Sequence, residues 1–144
     1  MRFRVLAAVL ILLLACVLQF WLASAGIFID LILAALVAYA FFFSFLELAA
    51  FVLFAVFVLN WAPGPSVVLA AFAAIPLLAY LSRRFFAWTP WAGIPVALVG
   101  GLILFYLISA PDMFRAAPGA FALDLVASLV FGELTLWALN RAEK

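Results

Sequence analysis

The chain has 144 residues, of which 74% are hydrophobic and 9% charged, with no His, a single Cys, a net charge of +1 and a mean hydropathy of +1.47. A soluble domain carries about 25% charged residues, so this composition cannot cover a water-exposed surface and points to an all-α, polytopic membrane protein forming one domain over residues 1–144. No basic cluster exceeds Arg83-Arg84, which leaves nucleic acid without an electrostatic footprint. A zinc site, a Cys/His dyad or an intrachain disulfide cannot be assembled either, so no metal, cofactor or catalytic set is expected. Residues 5–18 and 31–43 are apolar on every face, unlike the alternating strands of a membrane barrel.

At about 20 residues per span the chain holds at most six helices. The first is expected over residues 5–23, with Gln19 its only strongly polar side chain and Arg2 and Arg4 ahead of it. Ala23-Ser24-Ala25 resembles a signal-peptide cleavage site, but the apolar run is longer than the usual 7–15 residues and more membrane segments follow, which favours an uncleaved span. Cys16 reads as a small buried hydrophobe. Residues 27–61 contain no Gly or Pro, and as one helix they would measure about 52 Å against a hydrocarbon core of about 30 Å. A break is therefore expected at 44–47, giving spans over 27–44 and 48–61, the second short enough to be thinned or partly re-entrant.

The Pro/Gly turn at 62–66 leads into a fourth span over 66–81, kinked by Pro76 and ending at Ser82-Arg83-Arg84. A fifth, over 92–109, follows the elbow Trp88-Thr89-Pro90-Trp91. The sixth runs over 120–139 after Pro118-Gly119. Six spans put Arg2, Arg4, Arg83, Arg84, Arg141 and Lys144 on one side and only Arg115 on the other. The positive-inside rule then places both termini in the cytoplasm, whereas a single span over 27–61 would split the cations four to three. Trp21 and Trp61 fall at outer ends and Trp88, Trp91 and Trp137 at inner ends, as in an interfacial belt.

Small residues let helix backbones approach in lipid, and Gly93, Ala97 and Gly101 form such a stripe on the fifth span, with Ala34/Ala38 and Ala70/Ala74 weaker versions. These favour packing within the chain over an oligomer interface. On the sixth span Ala120, Asp124, Ser128 and Gly132 share one face. A carboxylate inside a span faces protein or a water-filled cavity, which makes Asp124 a candidate site residue. Three readings stay open for it: pairing with Arg115 or interfacial water, contact with a partner protein, and ligand or ion handling. Glu133 lies nine residues on, nearly opposite, so the two acids are no catalytic pair. Arg83 or Arg84 is expected to neutralise it. Glu47 fits a solvated turn, and Asp30 complements the positive N-terminal end of the second helix.

A first span ending in Leu18-Gln19, a second opened by Asp30-Leu31-Ile32-Leu33, a short third span and a Pro/Gly loop leading into residues 67–84 together resemble the rod-shape-determining MreD family of bacterial cytoplasmic membranes. The resemblance implies a six-span, non-enzymatic component of the cell-elongation machinery. Its implied partners are a bitopic MreC-like protein and peptidoglycan synthases, besides the lipid bilayer. The same architecture is similar to substrate-binding subunits of energy-coupling-factor transporters, which is the alternative reading. Outer loops of such subunits carry ligand-binding polar groups, and residues 24–29, 62–66 and 110–119 offer few. An intramembrane enzyme would need polar groups converging from several spans, where this sequence supplies isolated ones. The expected role is a scaffold or adaptor acting through helix-face contacts.

Overall fold

The computed structural model describes residues 2–59, 66–87 and 89–142, and over these the chain is helical, with no strand. Its elements are α1 (Arg2–Ser24), α2 (Leu31–Tyr39), α3 (Phe45–Leu59), α4 (Val67–Phe85), α5 (Pro90–Ser109), α6 (Met113–Ala116) and α7 (Pro118–Arg141). Among the described residues, α1, α4, α5 and α7 are long and apolar enough to cross a membrane. The second and third expected spans are shorter helices. At about 1.5 Å per residue, the nine residues of α2 measure about 13 Å and the fifteen of α3 about 22 Å.

α2 is the axis of the bundle. Every residue from Leu31 to Ala40 is buried, because α1, α3, α4, α5 and α7 all pack against it. A helix apolar on all faces is stable where other helices or lipid enclose it, and here helices do. Its two ends fix the direction of its neighbours. At the C-terminal end the Tyr39 hydroxyl donates to the Ala8 carbonyl of α1 (2.5 Å), and Arg83 Nη2 of α4 donates to the Phe43 carbonyl (3.1 Å). At the N-terminal end lie Gln19 of α1, Tyr106 of α5 and Asp124 of α7. α1 and α2 are therefore antiparallel, as are α5 and α7, and the start of α1 lies at the same end of the bundle as the close of α4.

The break after α2 falls at 40–44, earlier than the expected 44–47. Ser44 and Glu47 do not form the turn; they begin the next helix. The Ser44 N–H and hydroxyl both donate to Glu47 Oε2 (2.9 and 2.8 Å), and the Glu47 N–H reaches back to Ser44 Oγ at 3.5 Å. This reciprocal capping box fixes the start of α3 at Phe45. The turn 40–43 is closed by the Phe41, Phe42 and Phe43 amides donating to the carbonyls of Ala38 and Tyr39.

Other boundaries follow local chemistry. Ser66, at the expected start of the fourth span, caps α4, its hydroxyl accepting from the Val68 and Leu69 amides (3.2 and 3.5 Å), and α4 runs through Arg83-Arg84 to Phe85, four residues past the expected end. α5 and α7 each start two residues early because Pro90 and Pro118 occupy first-turn positions, where a missing N–H costs nothing. The short α6 lies in what the sequence offered as a plain outer loop. The turn at 62–65 and the interfacial Trp61 and Trp88 lie outside the described residues, as does Lys144.

Candidate functional site

A nine-residue helix buried on all sides has an immediate difficulty at its N-terminus. Its first amides have no partner within the helix, and the side chains that follow them are buried among neighbouring helices. Asp30 occupies the cap position but its side chain makes no cap bond. Neighbouring helices supply the acceptors instead. The Ile32 N–H donates to Gln19 Oε1 of α1 (2.9 Å), and the Asp30 N–H donates to Asp124 Oδ1 of α7 (2.8 Å). The head of α2 is thus capped in trans from two sides, and the Asp124 carboxyl complements the positive end of the helix dipole.

Asp124 is completely buried and holds two further donors. Ser128, one turn along α7, donates its hydroxyl to Oδ1 (3.0 Å), and the Tyr106 hydroxyl of α5 donates to Oδ2. The Asp30 side chain lies beside both Asp124 and Tyr106. Tyr106 is aimed by aromatic packing: its ring meets Phe121 edge-on at 5.3 Å between centroids, Phe105 at 5.8 Å and Phe114 of α6 at 6.5 Å. The short α6 thereby supplies one of the three rings around the tyrosine. Five polar side chains from α1, the head of α2, α5 and α7 form one knot.

Of the readings open for Asp124, the structure shows an intramolecular one, with a backbone amide and two hydroxyls as partners. Arg115, on α6, is exposed and is not among them. Ser128 and Gly132 are buried on the same face, whereas Ala120 at its head is exposed. Gly132 lets α7 lie against α5: a Cβ there would stand 2.6 Å from Leu98 Cδ1 and 3.4 Å from Ile94 Cγ2. Gly93 admits the Phe41 ring, and Gly101 admits Ile75 of α4, whose Cγ2 would lie 2.6 Å from an added Cβ. Ala97, half-buried between them, lines a shallow groove against α4. The small residues on α5 and α7 therefore set spacings inside the bundle.

The expected neutralisation of Glu133 by Arg83 or Arg84 is not formed. Arg83 is held at the far side of α4, where it bonds the Phe43 carbonyl and lies over the Tyr80 ring at 4.5 Å, and Arg84 is exposed. Glu133 Oε2 is occluded and has no hydrogen-bond partner among the described residues. Gln19, Asp30 and Tyr106 are the members of the knot that sequence reasoning did not select as site residues. Gln19 was visible as the one strongly polar side chain of α1, but only the fold shows what it accepts. Tyr106 carried no positional signal.

Two grooves among the described residues are lined mainly by apolar side chains. One between α5 and α7, about 610 Å³, is lined by Trp91, Pro95, Leu129, Val130, Leu134 and Trp137, with Glu133 as its sole ionisable residue. A second, about 230 Å³, lies between α4 and α5 around Ile75, Ala97 and Gly101, with Ser82 at its edge. Neither is lined by the knot. Comparison with protein-family models, with curated proteins and with solved structures found no match to this chain.

Proposed function

We propose that this protein is a non-enzymatic scaffold of the bacterial cytoplasmic membrane, an MreD-like component of the cell-elongation machinery that works through helix-face contacts with other membrane proteins. The observation that carries this reading is the use made of the polar side chains. Gln19, Asp30, Tyr106, Asp124 and Ser128 converge on the head of α2 rather than on a cavity, while the grooves that remain open are apolar. Polar groups that hydrogen-bond one another inside a lipid-facing bundle fix its shape. A fixed shape with apolar outer faces suits a partner recognised by surface complementarity.

The proposed topology has six crossings with both termini cytoplasmic. α2 with its flanking residues 27–30 and 40–44 makes up the second crossing and α3 the third. The antiparallel order of α1 and α2 and of α5 and α7 supports this course. So does the clustering of Arg4 over the Phe42 ring (5.5 Å) and of Arg83 on the Phe43 carbonyl, which gathers cations from α1 and α4 at one end. Gln19 and Asp30, two of the residues that carry the resemblance to MreD proteins, both belong to the joint between the first two crossings, where a family-wide structural feature would be expected to leave its mark.

The test is purification of the tagged full chain from its native membrane in mild detergent, with mass spectrometry of proteins and small molecules in the eluate. Bitopic and peptidoglycan-synthesising proteins of the elongation machinery are the expected companions. A chain that stays alone under conditions preserving known membrane complexes overturns the scaffold reading. A stoichiometric small molecule or an ATPase module moves the protein to the transporter class.

A further inference from the structure

Glu133 sits in the groove between α5 and α7, on the outside of the bundle, with Oε2 occluded and unpartnered among the described residues. A carboxyl on a spanning helix is costly unless it is paired or faces protein or water. Val130 and Leu134 in the wall are apolar and exposed, and the indole N–H groups of Trp91 and Trp137 are donors that, among the described residues, do not bond Glu133 Oε2. Pro95 in the same wall has no N–H for the Trp91 carbonyl one turn earlier.

We propose, building on the scaffold reading, that this groove docks a membrane-spanning helix of a different protein, and that a Lys or Arg of that helix, set about two turns inside its end, pairs with Glu133. Depth selects this occupant. Arg141 marks the end of α7 and lies over the Trp137 ring at 4.3 Å; Glu133 is eight residues earlier, about 12 Å further in. A lipid ammonium stays at headgroup level, whereas a basic side chain on a spanning helix reaches that depth. A second copy of this chain does not supply it, since its Lys and Arg residues lie in the first or last turns of its helices or beyond them. The groove wall from Leu129 to Trp137 also extends about two turns along α7, the length over which one helix seats apolar side chains against another.

The experiment places a photo-cross-linking amino acid at Leu134, in the groove, or at Phe57, on α3, in the full chain in its native membrane, and sequences the cross-linked peptides. The expected product at Leu134 is a peptide from a spanning segment of another protein with Lys or Arg within one turn of the cross-link. Its yield should fall about tenfold or more in Glu133→Gln, as for truncating one member of a desolvated charge pair. Pairing Glu133→Lys with replacement of the partner's cation by Glu should restore it. Val130→Trp, which fills the groove and leaves Glu133 in place, should lower the yield as well, so the proposal does not hang on the folding of one variant. Cross-links at Leu134 to lipid alone, to a second copy or to a helix without a cation overturn the proposal, as does a yield unchanged in Glu133→Gln. Partner cross-links at Phe57 with none at Leu134 overturn the groove while leaving the scaffold reading standing. A chain that cross-links to no protein from either position and purifies alone overturns both.

Discussion

Replacing Asp124 with Ala should destabilise the bundle more than any other single change in the polar knot, and the size of the effect follows from which donors it strands. Three groups donate to the carboxyl: the Asp30 amide, the Ser128 hydroxyl and the Tyr106 hydroxyl. The Ser128 bond joins residues one turn apart on α7 and survives when the helices separate, so it contributes little to association. The other two cross between elements. Stranding two buried donors costs about 1–3 kcal/mol each, and the better helix propensity of Ala returns at most about 0.7 kcal/mol, for a net loss of about 1.5–5 kcal/mol. Tyr106→Phe leaves Asp124 with its other donors and should cost about 0.6–1.7 kcal/mol, the range for single interhelical hydrogen bonds in membranes. Ser128→Ala should cost less than about 0.5 kcal/mol. The assay is reversible unfolding in mixed micelles with rising SDS, followed by the fluorescence of the five tryptophans. Ser128→Ala as damaging as Asp124→Ala, or Asp124→Ala within about 0.5 kcal/mol of the native chain, would refute the trans-capping account.

The glycines give a paired prediction. Gly101→Ala drives a Cβ against the branched Ile75 Cγ2 and should cost about 1–3 kcal/mol, whereas the neighbouring Gly100→Ala meets nothing within 4 Å and should gain up to about 1 kcal/mol, both read from thermal unfolding in detergent. Gly132→Ala should fall between them, because the atom it meets is the mobile end of Leu98. Gln19→Leu removes the acceptor for the Ile32 amide, so hydrogen exchange in a peptide spanning the start of α2 should accelerate while α5 peptides keep their protection. Tyr39→Phe should cost only about 0.5–1 kcal/mol in the same unfolding assay, since the Ala8 carbonyl it leaves still accepts from within α1.

How far the sequence could be read depended on whether the signal was local. Caps and breakers are local: Ser66 before α4, the prolines opening α5 and α7, and the arginines closing α4 all sit where the sequence places them, within a few residues. The four long apolar helices were legible from hydropathy alone. The region 27–61 was not, because an unbroken apolar run does not distinguish a helix that faces lipid from one enclosed by other helices. Both are apolar on every face. The capping box at Ser44 and Glu47 was the one local clue to the break, and it marks the first residue of α3 rather than the turn before it.

The polar residues show the same division more sharply. Asp124, Ser128 and Gly132 could be assigned to one face by helical spacing, and that face is buried. Their partners could not be assigned, because Asp30 is 94 residues away and Tyr106 is on another helix. Arginine was the natural guess for a membrane carboxylate, yet a backbone amide at the head of a buried helix makes the same demand for a counterpart. This distinction bears on function. A carboxylate already engaged by an amide and two hydroxyls is occupied whether or not a partner is present, so Asp124 holds the shape of the bundle. Glu133, one residue past Gly132 and so off that face, lines the outer groove with Oε2 unpartnered among the described residues, and is the acid that the proposed partner helix would satisfy.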